Sequence, residues 1–226
     1  MSNQIISNAQ VYFNPILLGC YDFTVYRFVS RFIWGCKNEI LLQRYRQFVQ
    51  TKHLEVGVGT GYLIEKSIKG YQKENMRLTL MDLSVACLDK ASKRLEKFNP
   101  SKIRHNILEA PIKKGQQEEE KQFNSIGINY VLHCVNGDFK EKGIAFGNLK
   151  KLLNENGVLF GSTVIANKQS LIVAKLFIRV LNVIGLFNNN NDKVNDLEVA
   201  LNTHFKFVKV QVVSSVVMFV ASDCEV

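Results

Sequence analysis

The residues best placed to do chemistry sit in one short run, Lys52-His53-Leu54-Glu55-Val56-Gly57-Val58-Gly59-Thr60-Gly61-Tyr62. An apolar stretch enters a glycine-rich turn, where the backbone can approach a ligand with no Cβ in the way. About one βαβ length later a second apolar stretch, Leu78-Thr79-Leu80-Met81, ends on Asp82. A carboxylate in that place can accept hydrogen bonds from both hydroxyls of a ribose. A glycine turn followed by a strand-end acid is how a doubly wound α/β sheet binds an adenosine-containing ligand. The competing reading is a tight strand-to-helix turn that holds nothing. A dinucleotide fingerprint, G-x-G-x-x-G, would need glycine where Tyr62 stands, and this disfavours a dehydrogenase.

The periodicity of the chain supplies the elements that must position these residues. Strand patterns fall at about 52–57, 77–82, 102–107, 124–132 and 158–165. Helical patterns fall between them: after Thr60 with Ile64 and Ile68 inward, after the N-cap Ser84, and over 139–154. The helix after Ser84 carries Val85, Leu88, Ala91, Leu95 and Phe98 at helical spacing and stops before Pro100. The charged segment 113–121 reads as exposed surface. Alternation of this kind predicts a parallel sheet with helices on both faces and ligands at the carboxyl ends of its strands. An aromatic-rich helix over 21–34, including Tyr21, Tyr26 and Trp34, and a second helix over 38–49 precede the sheet. The aromatics either form a lid over a small-molecule pocket or cover one face of the sheet. An apolar helix over 169–187 follows, broken by Lys175 and Arg179 and too short and charged for a membrane span. A short helix near 193–203 and two β-rich runs, 205–213 and 216–221, complete the chain. The organisation expected is a single domain: residues 1–50 a helical lid, 51–165 the ligand-binding core, 166–204 a helical cover and 205–226 a β-hairpin.

Composition narrows the setting. With 226 residues, 46% of them apolar and 22% charged, the chain can build one real core and is not of a disordered class. Its five cysteines are scattered and form no C-x-x-C, so neither a zinc site nor a disulfide framework is indicated. A reducing, cytoplasmic setting follows, and no secretory signal is visible at the N-terminus. The net charge of +9 is spread along the chain without a tight basic cluster, which reads as a solvated surface rather than a nucleic-acid site.

The spacing Glu55-x-Gly57-x-Gly59-x-Gly61, with its acid two places before the first glycine, resembles motif I of the class I S-adenosylmethionine-dependent methyltransferases. The resemblance extends over about residues 52–222. It implies an α/β, doubly wound, mostly parallel seven-stranded sheet with an antiparallel last strand, and S-adenosylmethionine as cofactor. That cofactor carries a sulfonium and an ammonium but no phosphate, so an acid beside the turn suits it. By the resemblance Glu55 reaches the methionine ammonium, often through water. Gly57, Gly59 and Gly61, with Thr60 in the same turn, lie beneath methionine and ribose. Asp82 binds the ribose and Leu83 packs on adenine. The run Arg104–Glu109 meets the adenine amino group through Asn106, where the family usually has Asp, and Ile107. Asn129 to Val135 resembles the fourth-strand motif, with Asn129 at the methionine end and His133 near the transferred methyl. His133 is suited to take a proton from an attacking nitrogen or oxygen. The alternative is that it caps the strand or packs on the following loop. Cys134 reads as a small buried filler, and His53, His105 and His204 as structural or surface residues.

Methyl transfer is an in-line displacement at an activated sulfonium, so alignment matters more than a nucleophile motif. The chain has no Asn/Asp-Pro-Pro-aromatic run and no Pro-Cys pair, which argues against the nucleic-acid enzymes carrying those signatures. Its aromatic N-terminal segment and the helix over 169–187 lie where the family builds covers over small acceptors. The expected function is therefore methyl transfer to a nitrogen or oxygen of a small, partly apolar acceptor, by a monomer or homodimer. A protein or RNA acceptor, and a non-catalytic module that only binds the cofactor, are the alternatives.

Overall fold

Along the first strand, β1 (Lys52–Val56), side chains alternate between two layers: Leu54 and Val56 enter one apolar cluster, while His53 and Glu55 turn to the opposite face. The computed structural model describes residues 22–70, 75–110 and 123–225, with backbone only for 22–27. Among these, β1 is joined by β2 (Arg77–Asp82), β3 (Ser101–Arg104), β4 (Phe123–Asn129), β5 (Leu153–Val164), β6 (Phe207–Val213) and β7 (Val216–Ser222). They form one sheet in the order β3-β2-β1-β4-β5-β7-β6. β7 is antiparallel to both of its neighbours and the other pairings are parallel. This is the seven-stranded arrangement that the resemblance implied. The direction of winding reverses between β1 and β4, so the crevice at their carboxyl ends is the topological switch point, where ligands bind in such sheets.

Helices cover both faces. The first, α1 (Asp22–Ile33), is wound as a π-helix, and α2 (Asn38–Phe48) follows. Between the strands lie α3 (Tyr62–Ser67), α4 (Val85–Arg94), α5 (Phe139–Lys142), α6 (Ile144–Lys150), α7 (Ile172–Val183) and α8 (Val194–Asn202). One core layer packs Leu54, Ile126 and Ile128 against Phe146, Leu197 and Leu201. The other packs Leu78 and Leu80 against Tyr45, Ile64, Leu88 and Phe160. Burying each such side chain favours folding by about 1.5–3 kcal/mol. A third cluster, with Trp34, Leu41, Val164, Ala174, Ile178 and Met218, joins α1, α2 and α7 to the carboxyl end of β5.

Several boundaries differ from the sequence pattern, each for a local reason. β4 stops at Asn129 rather than near 132 because Tyr130 adopts a left-handed φ of 57°. β3 stops at Arg104 because Asn106 Oδ1 accepts the Leu108 N–H at 3.1 Å, turning the chain. The helix expected over 139–154 is divided at Gly143 and ends at Lys150. Leu153, at helical spacing with Phe146 and Leu149, instead pairs with Phe123 at the start of β5. The N-cap at Ser84 forms as expected, its hydroxyl accepting from Cys87 N–H at 3.3 Å. That helix ends at Arg94, and a single tight turn, Glu96–Phe98, carries Phe98 into the core.

Candidate active site

The glycine turn is built from left-handed backbone. Gly57, Gly59 and Gly61 have φ of 65°, 53° and 74°, a region costly for residues with a Cβ. A Cβ on Gly57 would lie 2.1 Å from Cγ2 of Val131, so this glycine lets the β1 turn close against the end of β4. A Cβ on Gly59 would meet nothing within 4 Å, so this part of the turn is open. Its N–H points to Asp82 Oδ2 at 3.3 Å, while Oδ1 accepts the Ser84 N–H at 2.9 Å. Burial pushes the Asp82 carboxyl above its usual range, and the N–H groups of Ser84, Gly59 and Leu83 pull against that. Each carboxylate oxygen keeps a lone pair for a further donor. Thr60 is fully buried, and Arg94 clamps it by donating to its carbonyl at 2.9 Å and its hydroxyl at 3.1 Å. Nothing in the helical pattern around Arg94 marks that role.

Beneath the turn lies a closed chain of buried polar groups. Tyr45 on α2 donates to Glu55 Oε1 at 2.5 Å, and His53 Nε2 lies 3.0 Å from Glu55 Oε2. His53 Nδ1 lies 2.8 Å from Ser125 Oγ, which accepts the Gln50 N–H at 2.9 Å. One hydrogen-bond arrangement satisfies every group: Ser125 donates to Nδ1, and Nε2–H donates to the carboxylate. Glu55 is only 4% exposed, with a protein donor on each oxygen. His53 is thus a structural residue, as expected, although it was Tyr45 that the sequence concealed within a helical apolar stripe.

At the end of β4, Asn129 accepts the Ser162 hydroxyl at 2.9 Å through Oδ1. Its Nδ2 is buried with no partner. An orphaned amide donor costs about 1–3 kcal/mol, and here it stands at the switch point beside the glycine turn. The next residue, Tyr130, holds its left-handed backbone through a 2.8 Å bond from its N–H to Ser162 O, and its hydroxyl lies 3.0 Å from Ser30 Oγ on α1. His133 sits in the tight turn Leu132–Cys134, with its ring centre 4.2 Å from that of Phe187. Its Nδ1 accepts the Val164 N–H at 3.3 Å. A backbone N–H can only donate, so the neutral ring carries its proton on Nε2. Burial, with the charge on Lys142, lowers its pKa to about 3. Burial also pushes the Cys134 thiol up to about 12, in keeping with a filler rather than a nucleophile.

The remaining expected contacts divide. Leu83 is partly exposed beside Asp82, and its carbonyl accepts from Arg104 Nε at 3.1 Å. Asn106 turns its amide oxygen to Leu108, and Ile107 packs into the first core layer. Asn148 on α6, which the sequence did not single out, holds this segment by donating to the carbonyls of Ile107 at 3.0 Å and Glu109 at 2.9 Å. Trp34 is 3% exposed, with ring centres of Phe177 and Phe187 at 5.6 and 6.0 Å. It and His133 therefore meet the same Phe187. Tyr21 and the segment 113–121 lie outside the described residues, and Tyr26 lies in α1 where only the backbone is described.

Comparison with known proteins identifies the family. A family model described as a methyltransferase domain matches residues 54–159. Methyltransferase ctvB of Aspergillus terreus is 37% identical over 219 residues, covering 94% of this chain and 93% of its own. Demethylluteothin O-methyltransferase of Streptomyces thioluteus is 31% identical, covering 90% and 86%. Among solved structures, the DhpI–SAH complex shares the fold with a TM-score of 0.66 at 14% identity, covering 97% of each chain. Since the likeness to ctvB runs nearly end to end on both chains, this protein belongs to the class I S-adenosylmethionine-dependent methyltransferases.

Proposed function

We propose that this protein transfers the methyl group of S-adenosylmethionine to a nitrogen or oxygen of a small, partly apolar acceptor. The observation that carries the cofactor assignment is the orphaned Nδ2 of Asn129 at the carboxyl end of β4, the strand next to the one that enters the glycine turn. In this reading Asn129 donates to the methionine end of the cofactor and Asp82 accepts from the ribose hydroxyls. The turn Gly57–Gly61, with Thr60 clamped in it, lies beneath both. Leu83 and Ile107 flank the adenine, and Asn106 keeps one acceptor lone pair for its amino group. Glu55 acts through its charge beneath the turn, since both its oxygens already hold protein donors.

When bound, the cofactor supplies a methyl group on a good leaving sulfur. The protein's own work is alignment and exclusion of water, which can lower a barrier by up to roughly 7–11 kcal/mol. Trp34, buried against Phe177 and Phe187, would back the aromatic side of the acceptor pocket. His133 serves as a neutral Nε2–H donor that positions the acceptor rather than as the base expected from its residue type. Its acceptor-competent nitrogen is committed to Val164, and protonation is disfavoured by burial. An acceptor that ionises in water, such as a phenol or enol, or a free amine, needs no stronger base. Relatives named as an O-methyltransferase of demethylluteothin and as N-methyltransferase vrtF of Penicillium aethiopicum support this acceptor class. A reducing cytoplasmic setting fits the free thiols of Cys36, Cys87, Cys134 and Cys224.

Calorimetric titration with S-adenosylmethionine, S-adenosylhomocysteine and NAD tests the cofactor. Micromolar binding of the first two and none of NAD is the expected result, and absence of binding by all three would overturn the reading. Release of S-adenosylhomocysteine in a panel of phenols, enols and amines then tests the acceptor class. Turnover only with a peptide or RNA would replace it.

A further inference from the structure

The helix α7 is apolar on two sides. Ala174 and Ile178 are buried in the third cluster, yet the opposite side is also hydrophobic. Ile172, Leu176, Val180 and Val183 are 87%, 61%, 46% and 86% exposed. Their spacing of four, four and three residues puts them in one narrow stripe along about three turns of helix. Lys175 and Arg179, both exposed, flank the stripe. Beside α7, α1 adds Phe28 and Phe32, 55% and 56% exposed with ring centres 5.3 Å apart. A water-facing helix side is ordinarily polar, and a contiguous apolar patch marks an interaction surface.

The charge around the patch identifies the kind of partner. No Asp or Glu occurs between residues 24 and 38 or between 156 and 191. The first segment carries Arg27, Arg31 and Lys37, and the second Lys168, Lys175 and Arg179. Pairing of two copies through α7 would bring Lys175 and Arg179 of each copy into an apolar contact without an acid to neutralise them. A nucleic acid would leave the apolar stripe unsatisfied. An anionic bilayer satisfies both features: the stripe and the two phenylalanines enter the acyl boundary, while lysine and arginine stems reach back to lipid headgroups. At 12 residues α7 is about 18 Å long, well short of a bilayer core, and no helix among the described residues is long and apolar enough to cross a membrane.

We propose that the outer side of α7, with Phe28 and Phe32, docks this protein on the surface of an anionic membrane with α7 lying in the interface. The test is sedimentation of the full chain with vesicles of phosphatidylcholine alone or with about 30% phosphatidylserine. The wild-type protein should pellet with the serine-containing vesicles and lose binding at least tenfold when salt is raised from 0.05 to 0.5 M, as charge screening requires. The triple variant Ile172→Ser, Leu176→Ser, Val183→Ser should lose at least tenfold in binding while keeping its thermal midpoint and S-adenosylhomocysteine affinity. The pair Lys175→Gln, Arg179→Gln should lose the preference for phosphatidylserine. Equal binding to both vesicle types, no binding to either, or unchanged binding by the triple variant would overturn the proposal. So would a wild-type dimer by light scattering that the triple variant converts to monomer without any vesicle binding.

Discussion

Gly127 and Glu55 meet side by side on neighbouring strands: a Cβ at position 127 would lie 2.6 Å from Oε2 of the carboxylate. The bare backbone of β4 is what leaves room for the Glu55 carboxylate beneath the glycine turn. Gly127→Ala should displace the carboxylate from His53 and destabilise the fold by about 1–3 kcal/mol, the range for overpacking. Weaker S-adenosylhomocysteine binding should accompany it. A thermal midpoint and an affinity both equal to wild type would show that the carboxylate has room to move.

Tyr45→Phe removes the donor to Glu55 Oε1 and keeps the ring packed edge-on to Phe160, with ring centres 5.2 Å apart. A buried acceptor left without its donor costs about 1–3 kcal/mol, so chemical denaturation should register a loss of that size. The double variant Tyr45→Phe, Glu55→Gln should lose less than the sum of the single losses. Additive losses would mean that the two residues are not coupled.

Asp82 provides a pH-dependent readout of cofactor binding. Its carboxyl titrates above the ordinary 3.8 because it is buried, and in the proposed site its charged form is the stronger acceptor for both ribose hydroxyls. Affinity for S-adenosylhomocysteine should therefore fall as pH is lowered through that raised value. Asp82→Asn should weaken binding strongly and flatten the pH dependence. An unchanged slope in the variant would separate Asp82 from the ribose.

His133 makes a prediction of the opposite kind. Its pKa is about 3 in the folded chain against an ordinary 6.5, so between those values the unfolded chain binds a proton that the folded chain does not. The associated stability is complete above about 6.5 and is lost as pH falls towards 3, by at most about 1.4 kcal/mol per pH unit. Urea midpoints from pH 7.5 to 4.5 should show wild type losing ground to His133→Asn. Parallel curves would mean that the ring is hydrated and free to charge. A kcat/KM profile of wild type lacking an ascending limb near pH 6.5 would agree with a donor rather than a base.

Lys142 and Asp192 form an ion pair at 2.7 Å, both side chains being fully buried. Lys142 also donates to the Asn188 carbonyl at 2.9 Å, and the Asn188 N–H reaches His133 O at 2.7 Å, so the pair anchors the loop behind α7. Lys142→Met leaves a buried carboxylate alone and should cost about 3–5 kcal/mol, whereas Lys142→Met with Asp192→Leu should cost much less. Thermal unfolding distinguishes the two. Equal losses would point to the Asn188 contact as the larger factor.

The sequence disclosed what glycine, strand-end acids and alternation encode. Gly57, Gly59 and Gly61 need backbone that side chains avoid, and Asp82 ends an apolar strand, so both stand out in one dimension. The parallel sheet followed from alternation, and its seven strands with an antiparallel last one from the family resemblance. What lay hidden depends on contacts across the sheet. Tyr45 looks like any core residue of an amphipathic helix, yet its hydroxyl reaches a strand ten residues away in sequence. Arg94, in the last turn of α4, reads as an ordinary helix-end cation until it is seen to reach back to Thr60. His133 was legible as a residue but not as a tautomer, because the deciding donor belongs to Val164 at the end of β5. The early end of β4 was equally hidden, since tyrosine rarely announces a left-handed φ.

The third apolar cluster carries a lesson about evolvability. Trp34, Ala174 and Ile178 pack on Val164 and Met218, and none of them belongs to the glycine turn or to the buried chain beneath Glu55. The glycine turn and this cluster thus rest on separate pieces of the fold. Changes in α1 and α7 can therefore alter this cluster without touching the glycine turn or the polar chain beneath it.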